Sequence, residues 1–542
     1  MKNFSPIKRQ KQQLKQFTVL CLGLILITSC KSIETYNEAV AKLHPVEDVH
    51  EDIDKLYKQL RRHHPRLYQY TSKEQLDFKF DSLKQSITEP ITSRTLYKQL
   101  AQVTKYVGQG HMSIAPSDKR FKRKERKALN KMKFDINNID TEYLDDKLFI
   151  RNARKKDTVL INTEIIAING QKPQDLYKSY LPLVASDGYN TTFQPRVVGD
   201  YFFTYYKLNN GRFDSISLTL RNSDSTFVKT YKRLPRNLSN VSKDSTVTDS
   251  IKTKQKLTKA EKKAKKLAFK KKKEERSKKG FDYNRNEFRR ELTFIGKDST
   301  VGYLRIKSFT GWKYKGFYEE TFKELDSLKT ETLIIDLRNN LGGSLKEINT
   351  LYSYLTDENF TFINLSEVNS RIPLMKAAMT NTRSTFGKIL TGIFSPIIVT
   401  HNLIKTKKKN GKIYYKFKAS KEQEPNPLNF KGKLYVLING NSFSASSVLS
   451  TTLKGTNRAT FVGEETGGAY NGTVAGQYKT YELPNTKIKA RIGLMHVDSP
   501  YKTTPDGYGI KPDVEILPTY QDRLDGVDPE LEWILQDIEK EK

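Results

Sequence analysis

A chain of 542 residues with 95 Lys and Arg against 61 Asp and Glu carries a formal net charge of +34, and it is long enough for about two or three domains with sizeable cores. Its two cysteines, Cys21 and Cys30, exclude a disulfide framework and a cysteine-rich metal site.

At the start, Lys2, Lys8, Arg9, Lys11 and Lys15 precede an apolar run over 17–27 that is too short to span a bilayer comfortably. The run ends in Ile27-Thr28-Ser29-Cys30, which resembles a bacterial lipobox. Residues 1–29 are therefore expected to be a lipoprotein signal peptide. The mature protein would begin at a lipidated Cys30, exported and lipid-anchored to the bacterial cell envelope, facing the periplasm or on the outer membrane. Cys21 leaves with the signal, which removes a cysteine nucleophile as well.

Residues 30–118 read as an N-terminal helical region. Val46, Val49, Ile53, Leu56 and Leu60 form one apolar stripe; Leu76, Phe80, Leu83 and Ile87 form a second, opened by a Ser72–Gln75 capping box; Leu96, Leu100, Val103 and Val107 form a third, opened by Thr92. Adjacent helical residues point in different directions, so His63 and His64 read as a solvated helix end rather than a metal pair. His111 follows the third helix directly, after Gly108 and Gly110, where a glycine cap would stop it. Over 133–235 the pattern changes to short strands, with a strand, an Asn169-Gly170 turn and a helix across 160–180, and an aromatic-rich insertion over 181–211. Residues 237–286 break the composition: 14 Lys and 1 Arg stand against 3 Glu over 251–280, a net +12. Such a block reads as a solvated linker or exposed helix that could grip anionic lipid or a polyanion. Export and the lack of a recognisable nucleic-acid module argue against nucleic acid as that partner.

The last large unit is expected over 291–517, followed by a helical tail over 518–542. It begins with an alternating strand at 301–306 and an amphipathic helix at 317–328. A buried-strand pattern over 333–337 then ends in a glycine-rich turn before Ser344. The long interval that follows, mildly apolar over 375–394 and basic over 405–416, has the length of a lid that could cover a cleft. Residues 434–438 form another buried strand, Asn439-Gly440-Asn441 is turn chemistry, and a helical spacing begins just past Ser444. A serine thus sits where a strand turns into a helix, beside unpaired N–H groups and the positive end of the helix dipole, which stabilise negative charge on a nearby oxygen. Ser442, Ser444, Ser446 and Ser447 also suit capping and turn roles alone.

Taken together, LIIDLRNNLGG (333–343), SFSASS (442–447) and VGEETGG (462–468) resemble the tail-specific or C-terminal processing proteases and their tricorn-core relatives, over most of the chain after about residue 46. The resemblance implies an α/β (α+β) fold: a crotonase-like catalytic core with an N-terminal helical bundle and an inserted PDZ-like β-rich module at 133–235, which is either a peptide clamp with its groove beside an exposed strand edge or a strand-rich spacer with no peptide affinity. In the processing type a lysine follows the GE-x-T-x-G turn and serves as base. Ala469 stands there and the next lysine is Lys479, so the tricorn-like design applies, with a histidine base at His111 in YVGQGHMSI. TPDGYGIKPDVEI (504–516) resembles the E-G-x-G-V-x-P-D-x-x-V signature of those members, and Asp506 takes the place of its leading acid.

The function implied is a serine endopeptidase of the cell envelope that hydrolyses peptide bonds through a Ser444 acyl-enzyme with His111 as general base. Asp506 would fix the tautomer directly or through a hydroxyl such as Ser113; it is equally an ordinary Pro-Asp-Gly turn residue. Gly342 or Gly343, with Ala445, would form the oxyanion hole, and Glu464 and Thr466 would support it. No metal or organic cofactor is required, and the partner would be a peptide or protein substrate. Two departures from the family pattern are Gln109, where relatives carry an acid before Gly-His, and Ser447, where many carry Glu. They keep open a catalytically silent, peptide-binding envelope lipoprotein. A scaffold whose basic segment binds membrane or a polyanion is a third reading.

Overall fold

The computed structural model describes residues 33–222, 225–235, 258–296, 300–381 and 385–541. The expected signal segment, the lipidation residue Cys30 and the basic stretch before Thr258 lie outside them. The fold is mixed α/β, built on a six-stranded sheet in the order Arg290–Ile295, Val301–Ile306, Thr332–Asp336, Lys433–Ile438, Thr460–Gly463 and Val514–Glu515. The first pair is antiparallel and the others are parallel, which requires both faces to be covered. Accordingly Leu333–Ile335 and Leu434–Ile438 are continuous apolar runs, each 0–1 % exposed. Helices Tyr314–Ser327, Leu345–Ser353 and Ala445–Gly455 cover one face. The tail helix Pro529–Lys540 covers the other through Ile534 and Ile538.

The three N-terminal stripes form helices Val46–His63, Lys73–Gln85 and Ser93–Thr104, with the Ser72–Gln75 capping box and the Thr92 cap both made. They pack on Ala490 and Ile492 of a second sheet and on Ile488 just before it; the sheet contains Lys489–Val497 and Thr473–Glu482 as an antiparallel pair. Strand Ser113–Ala115, just after the helices, pairs with Lys489–Val497. The N-terminal region is thereby fastened to the later sheet. His63 and His64 are buried, not solvated: the helix end is covered by the second sheet, and Lys479 Nζ lies 2.8 Å from His63 Nε2. Burial, with Lys479 beside His63, holds both imidazoles down to about 3.

Residues 132–235 form a third, six-stranded antiparallel sheet whose terminal strand is Ile139–Leu144. Helix Phe193–Asp200, from the aromatic-rich stretch, packs on that edge, and Thr141 Oγ1 donates to Gly199 O at 2.6 Å. That edge of the sheet is therefore covered by a helix. Val197, Val198 and Phe202 complete this module's core, so 181–211 is integral to it rather than an appended insertion.

The basic block is in part an exposed helix, Lys259–Lys279, with a Thr258–Glu261 capping box and Gly280 in the left-handed conformation at its end. Its last turn is tied down. The fully buried Arg290 donates to Lys278 O at 3.0 Å, to Thr310 O at 2.6 Å and to both Glu347 oxygens at 2.8 and 3.1 Å. Excising 258–272 is expected to leave the melting temperature unchanged, since nothing in that span is buried. Excision through Lys279 leaves a buried guanidinium N–H unpaired and should cost about 1–3 kcal/mol; equal melting temperatures for the two deletions, measured by calorimetry, would refute that tie.

Candidate active site

Asn340 joins the two motif stretches. Its Oδ1 accepts from Gly342 N at 2.9 Å, its Nδ2 donates to Ile306 O at 2.7 Å, and its own carbonyl accepts from Ser446 Oγ at 2.8 Å and Phe443 N at 3.1 Å. The turn 339–344 and the start of helix Ala445–Gly455 are thus held against each other. A Cβ on Gly342, at φ +94°, would lie 2.7 Å from Ala445 N and from Ser444 Cβ, so no other residue fits.

Of the four clustered serines, three are used up by the backbone. Ser442 Oγ donates to Leu337 O at 2.8 Å, Ser446 Oγ to Asn340 O, and Ser447 Oγ to Ser442 O at 3.0 Å. Ser447, at a position where relatives carry Glu, therefore closes the turn beneath the serine. Ser444 differs: it is the one residue of 441–450 that is not buried, and its backbone sits at φ 58°, ψ −117°, a sparsely populated region that persists only where surroundings impose it. Its Oγ lies 2.8 Å from His111 Nε2.

His111 is 6 % exposed and lies between two rings, Phe443 at 4.5 Å and Tyr478 at 6.0 Å between centroids. Its Nδ1 is 3.2 Å from Thr473 Oγ1, which donates to Asp187 Oδ1 at 2.9 Å. An ionised carboxylate only accepts, so the single threonine proton is spent on Asp187 and the threonine oxygen accepts from His111 Nδ1–H. Nε2 is then the unprotonated nitrogen facing the serine. Burial, and secondarily Arg491, holds the imidazole down to about 3. Asp187 is raised to about 6 by burial, against hydrogen bonds from Gly110 N, Thr473 and Ala469 N. Ala469, where the alternative design has its lysine, thus contributes a backbone donor to this carboxylate. Lys479 is engaged elsewhere, donating to Gln59 Oε1 at 2.7 Å.

Three sequence expectations change. Asp506 makes no hydrogen bond to His111; its carboxylate accepts from Gln69 Nε2 at 3.0 Å and Gly507 N at 2.7 Å. Its loop instead braces the Asp187 loop. Tyr189 N donates to Gly507 O at 2.8 Å, and a Cβ on Gly188 would meet Gly507 Cα at 2.4 Å. Ser113 is exposed on its strand, and the bridging hydroxyl is Thr473. Gly342 N is committed to Asn340, whereas among the described residues Gly343 N and Ala445 N have no intramolecular acceptor. Glu464 accepts from Gly440 N at 2.9 Å and Arg196 Nε at 2.8 Å, holding the turn before the serine. The buried Thr466 hydroxyl bridges Gly468 O and Ile510 N. Gln109, in place of the family acid, accepts from Val474 N at 2.9 Å and so fixes the strand that carries Thr473.

Ser444 opens on a cleft of about 550 Å³ lined by Gly343, Leu345, Ile348, Phe417, Ala445, Val448, Tyr478 and Val497 among others. Among the described residues no group of three His, Cys, Asp or Glu side chains is arranged to hold a metal ion. A half-buried hydroxyl on a neutral imidazole, beside two unpaired N–H groups and a cleft with an apolar wall and a rim that includes Lys315, Lys346 and Lys418, is an arrangement for acyl transfer.

Residues 300–516 match the model of Peptidase family S41. No curated protein matches the chain. Among solved structures it is similar to mature CPAF, at 15 % identity, 90 % of this chain and 96 % of that chain covered, with a TM-score of 0.56. It is likewise similar to mature CPAF complexed with lactacystin, at 14 % identity, 91 % and 98 % covered, with a TM-score of 0.57. Identities this low carry the fold alone. The family match spans the glycine turn, Ser444 and the 462–516 loops, and on it residues 300–516 are a Peptidase family S41 segment and the chain is a serine-type peptidase.

Proposed function

We propose that this chain is a cell-envelope endopeptidase of the Ser-His design, with Ser444 as nucleophile and His111 as general base. The observation that carries this reading is the 2.8 Å approach of His111 Nε2 to Ser444 Oγ. His111 takes the serine proton as Oγ attacks the scissile carbonyl, and Gly343 N–H and Ala445 N–H hold the oxyanion. The imidazolium is compensated through Thr473 by Asp187 and returns its proton to the leaving amine. Water then enters by the same base to cleave the ester and free Ser444. The apolar wall formed by Ile348, Phe417, Val448 and Val497 favours an apolar substrate side chain beside the scissile bond. Export and a lipid anchor at Cys30 complete the reading on the sequence alone. Labelling by a fluorophosphonate tests it: the wild type should be tagged and Ser444→Ala should not, and equal tagging of both would end it.

Asp187 and Asp506 are the competing acids, and a paired substitution separates them. Asp187→Asn is expected to lower turnover by roughly 10²–10⁴-fold with KM little changed, because Thr473 loses its full acceptor and the imidazolium its counter-charge. Asp506→Asn should instead lower the melting temperature and act on turnover only weakly. Since His111 stays neutral well below its usual range and Asp187 gains its proton near 6, the acid limb of kcat/KM is expected at or below about pH 6, not at 6.5–7. Protonating Asp187 removes the charge that stabilises the imidazolium, so activity falls as pH drops through that value, and Asp187→Asn should shift the limb. A limb near 7 that is insensitive to Asp187→Asn would contradict this assignment.

A further inference from the structure

The long interval between the glycine turn and the serine strand folds into three short helices, Pro373–Asn381, Thr385–Ile393 and Ser395–Lys405. The last two leave large apolar side chains in solvent: Phe386, Ile393, Ile397 and Ile404 are 65–73 % exposed, and Leu390, Phe394 and Leu403 lie beside them in the sequence, also exposed. Surface apolar residues scattered singly are ordinary, but a contiguous group of this size marks a contact site. No single helix among the described residues is long and apolar enough to cross a membrane, and this pair is bent by 56° at its break.

The charge around the pair identifies what it meets. From 368 to 421 the chain carries ten Lys and two Arg and no Asp or Glu. The helix pair runs directly into the hairpin Thr406–Lys409 and Lys412–Tyr415, on which Lys407, Lys408 and Lys409 are exposed, while Lys412 is paired with Glu367 at 3.0 Å. Apolar helices flanked by lysines, without acidic residues, match a surface that is apolar beneath and anionic on top. A second copy of the chain would bring the same cations against these, so like charge opposes self-association there.

We propose that the helices Thr385–Ile393 and Ser395–Lys405 seat this protein on an anionic lipid bilayer, lying in the headgroup interface with the following basic hairpin on the lipid phosphates. The element is fixed to the body of the protein. Asn402, fully buried, accepts from Leu374 N at 2.9 Å. Asn381, at the end of the first helix, donates to Tyr478 O at 2.8 Å and accepts from Thr480 Oγ1 at 2.9 Å. Tyr478 lines the cleft and stacks on His111. Seating on lipid therefore holds the cleft close to the membrane surface, where it meets chains that emerge from or lie along the bilayer.

The test reads the patch itself, because the N-terminal segment can bring the chain to vesicles on its own. The full chain carrying Ile397→Trp, with the spectrum of the unsubstituted chain subtracted, is mixed with vesicles of equimolar phosphatidylglycerol and phosphatidylcholine. The introduced indole should shift its emission to the blue and be quenched by brominated lipid, and Phe394→Trp should behave alike. Lys407→Glu, Lys408→Glu and Lys409→Glu together should weaken the shift at least about tenfold in lipid concentration, and phosphatidylcholine vesicles alone should give little of it. Vesicle binding without shift or quenching at either position overturns the proposal. So does shielding of the introduced indole of Ile397→Trp from acrylamide without lipid, together with a doubled mass, which would assign the patch to a second copy. None of these readouts depends on hydrolysis.

Discussion

Ser444→Ala is expected to lower peptide hydrolysis by roughly 10⁴–10⁶-fold and to leave the melting temperature almost where it was. The size of the loss follows from the absence of a substitute: Ser442, Ser446 and Ser447 spend their hydroxyls on backbone carbonyls, and only Ser444 Oγ lies on His111. What remains would come from substrate binding and the two unpaired N–H groups. Stability is spared because alanine occupies φ 58°, ψ −117° at about the same cost as serine. Ser444→Gly should be equally inactive yet more stable by about 1 kcal/mol, since glycine adopts that backbone without strain. Turnover and calorimetry on both variants check the pair of expectations, and substantial residual turnover in Ser444→Ala would move the nucleophile elsewhere.

His111→Ala is expected to cost on the order of 10³-fold or more in kcat with little change in KM, because the base acts on the transition state and not on substrate binding. The double variant with Ser444→Ala should be no worse than either alone, as expected for residues that act as a unit. Unlike the serine variant it should also be destabilised, by about 1–3 kcal/mol, since the ring packed between Phe443 and Tyr478 leaves a cavity. Lys479→Ala separates the lysine design from this one. Its ammonium is bonded to Gln59 and His63, so turnover should be kept; loss of turnover there, with His111→Ala active, would reverse the assignment.

The α/β core was legible because its parallel strands are short unbroken apolar runs between glycine-rich turns, a pattern that buried strands impose. The pairing of Ser444 with His111 was accessible only through the family resemblance: a turn before one and a glycine cap before the other mark where the chain emerges, but nothing in their spacing brings them together across 333 residues. Asp187 was not accessible. It reaches the histidine only through a threonine hydroxyl contributed by a strand 286 residues away, and Asp187-Gly188 reads as plain turn sequence within an aromatic stretch. Asp506 misled for the converse reason. Its motif place is that of the family's acid, but here the loop's glycine is what matters, packing against Gly188. The burial of His63 and His64 was hidden because it depends on a sheet contributed from the other end of the chain. The lid-length interval before the serine strand announced its apolar and basic composition, but not that it would fold into helices presenting that composition outward.

The proposed proton path draws on three stretches that are synthesised far apart: the base comes from the N-terminal region, its acid from the middle module, and the nucleophile and the bridging threonine from the last third. A ribosome-bound or partly unfolded chain holding any two of these has no working relay. On this reading proteolytic capability is acquired only when all three stretches have folded together.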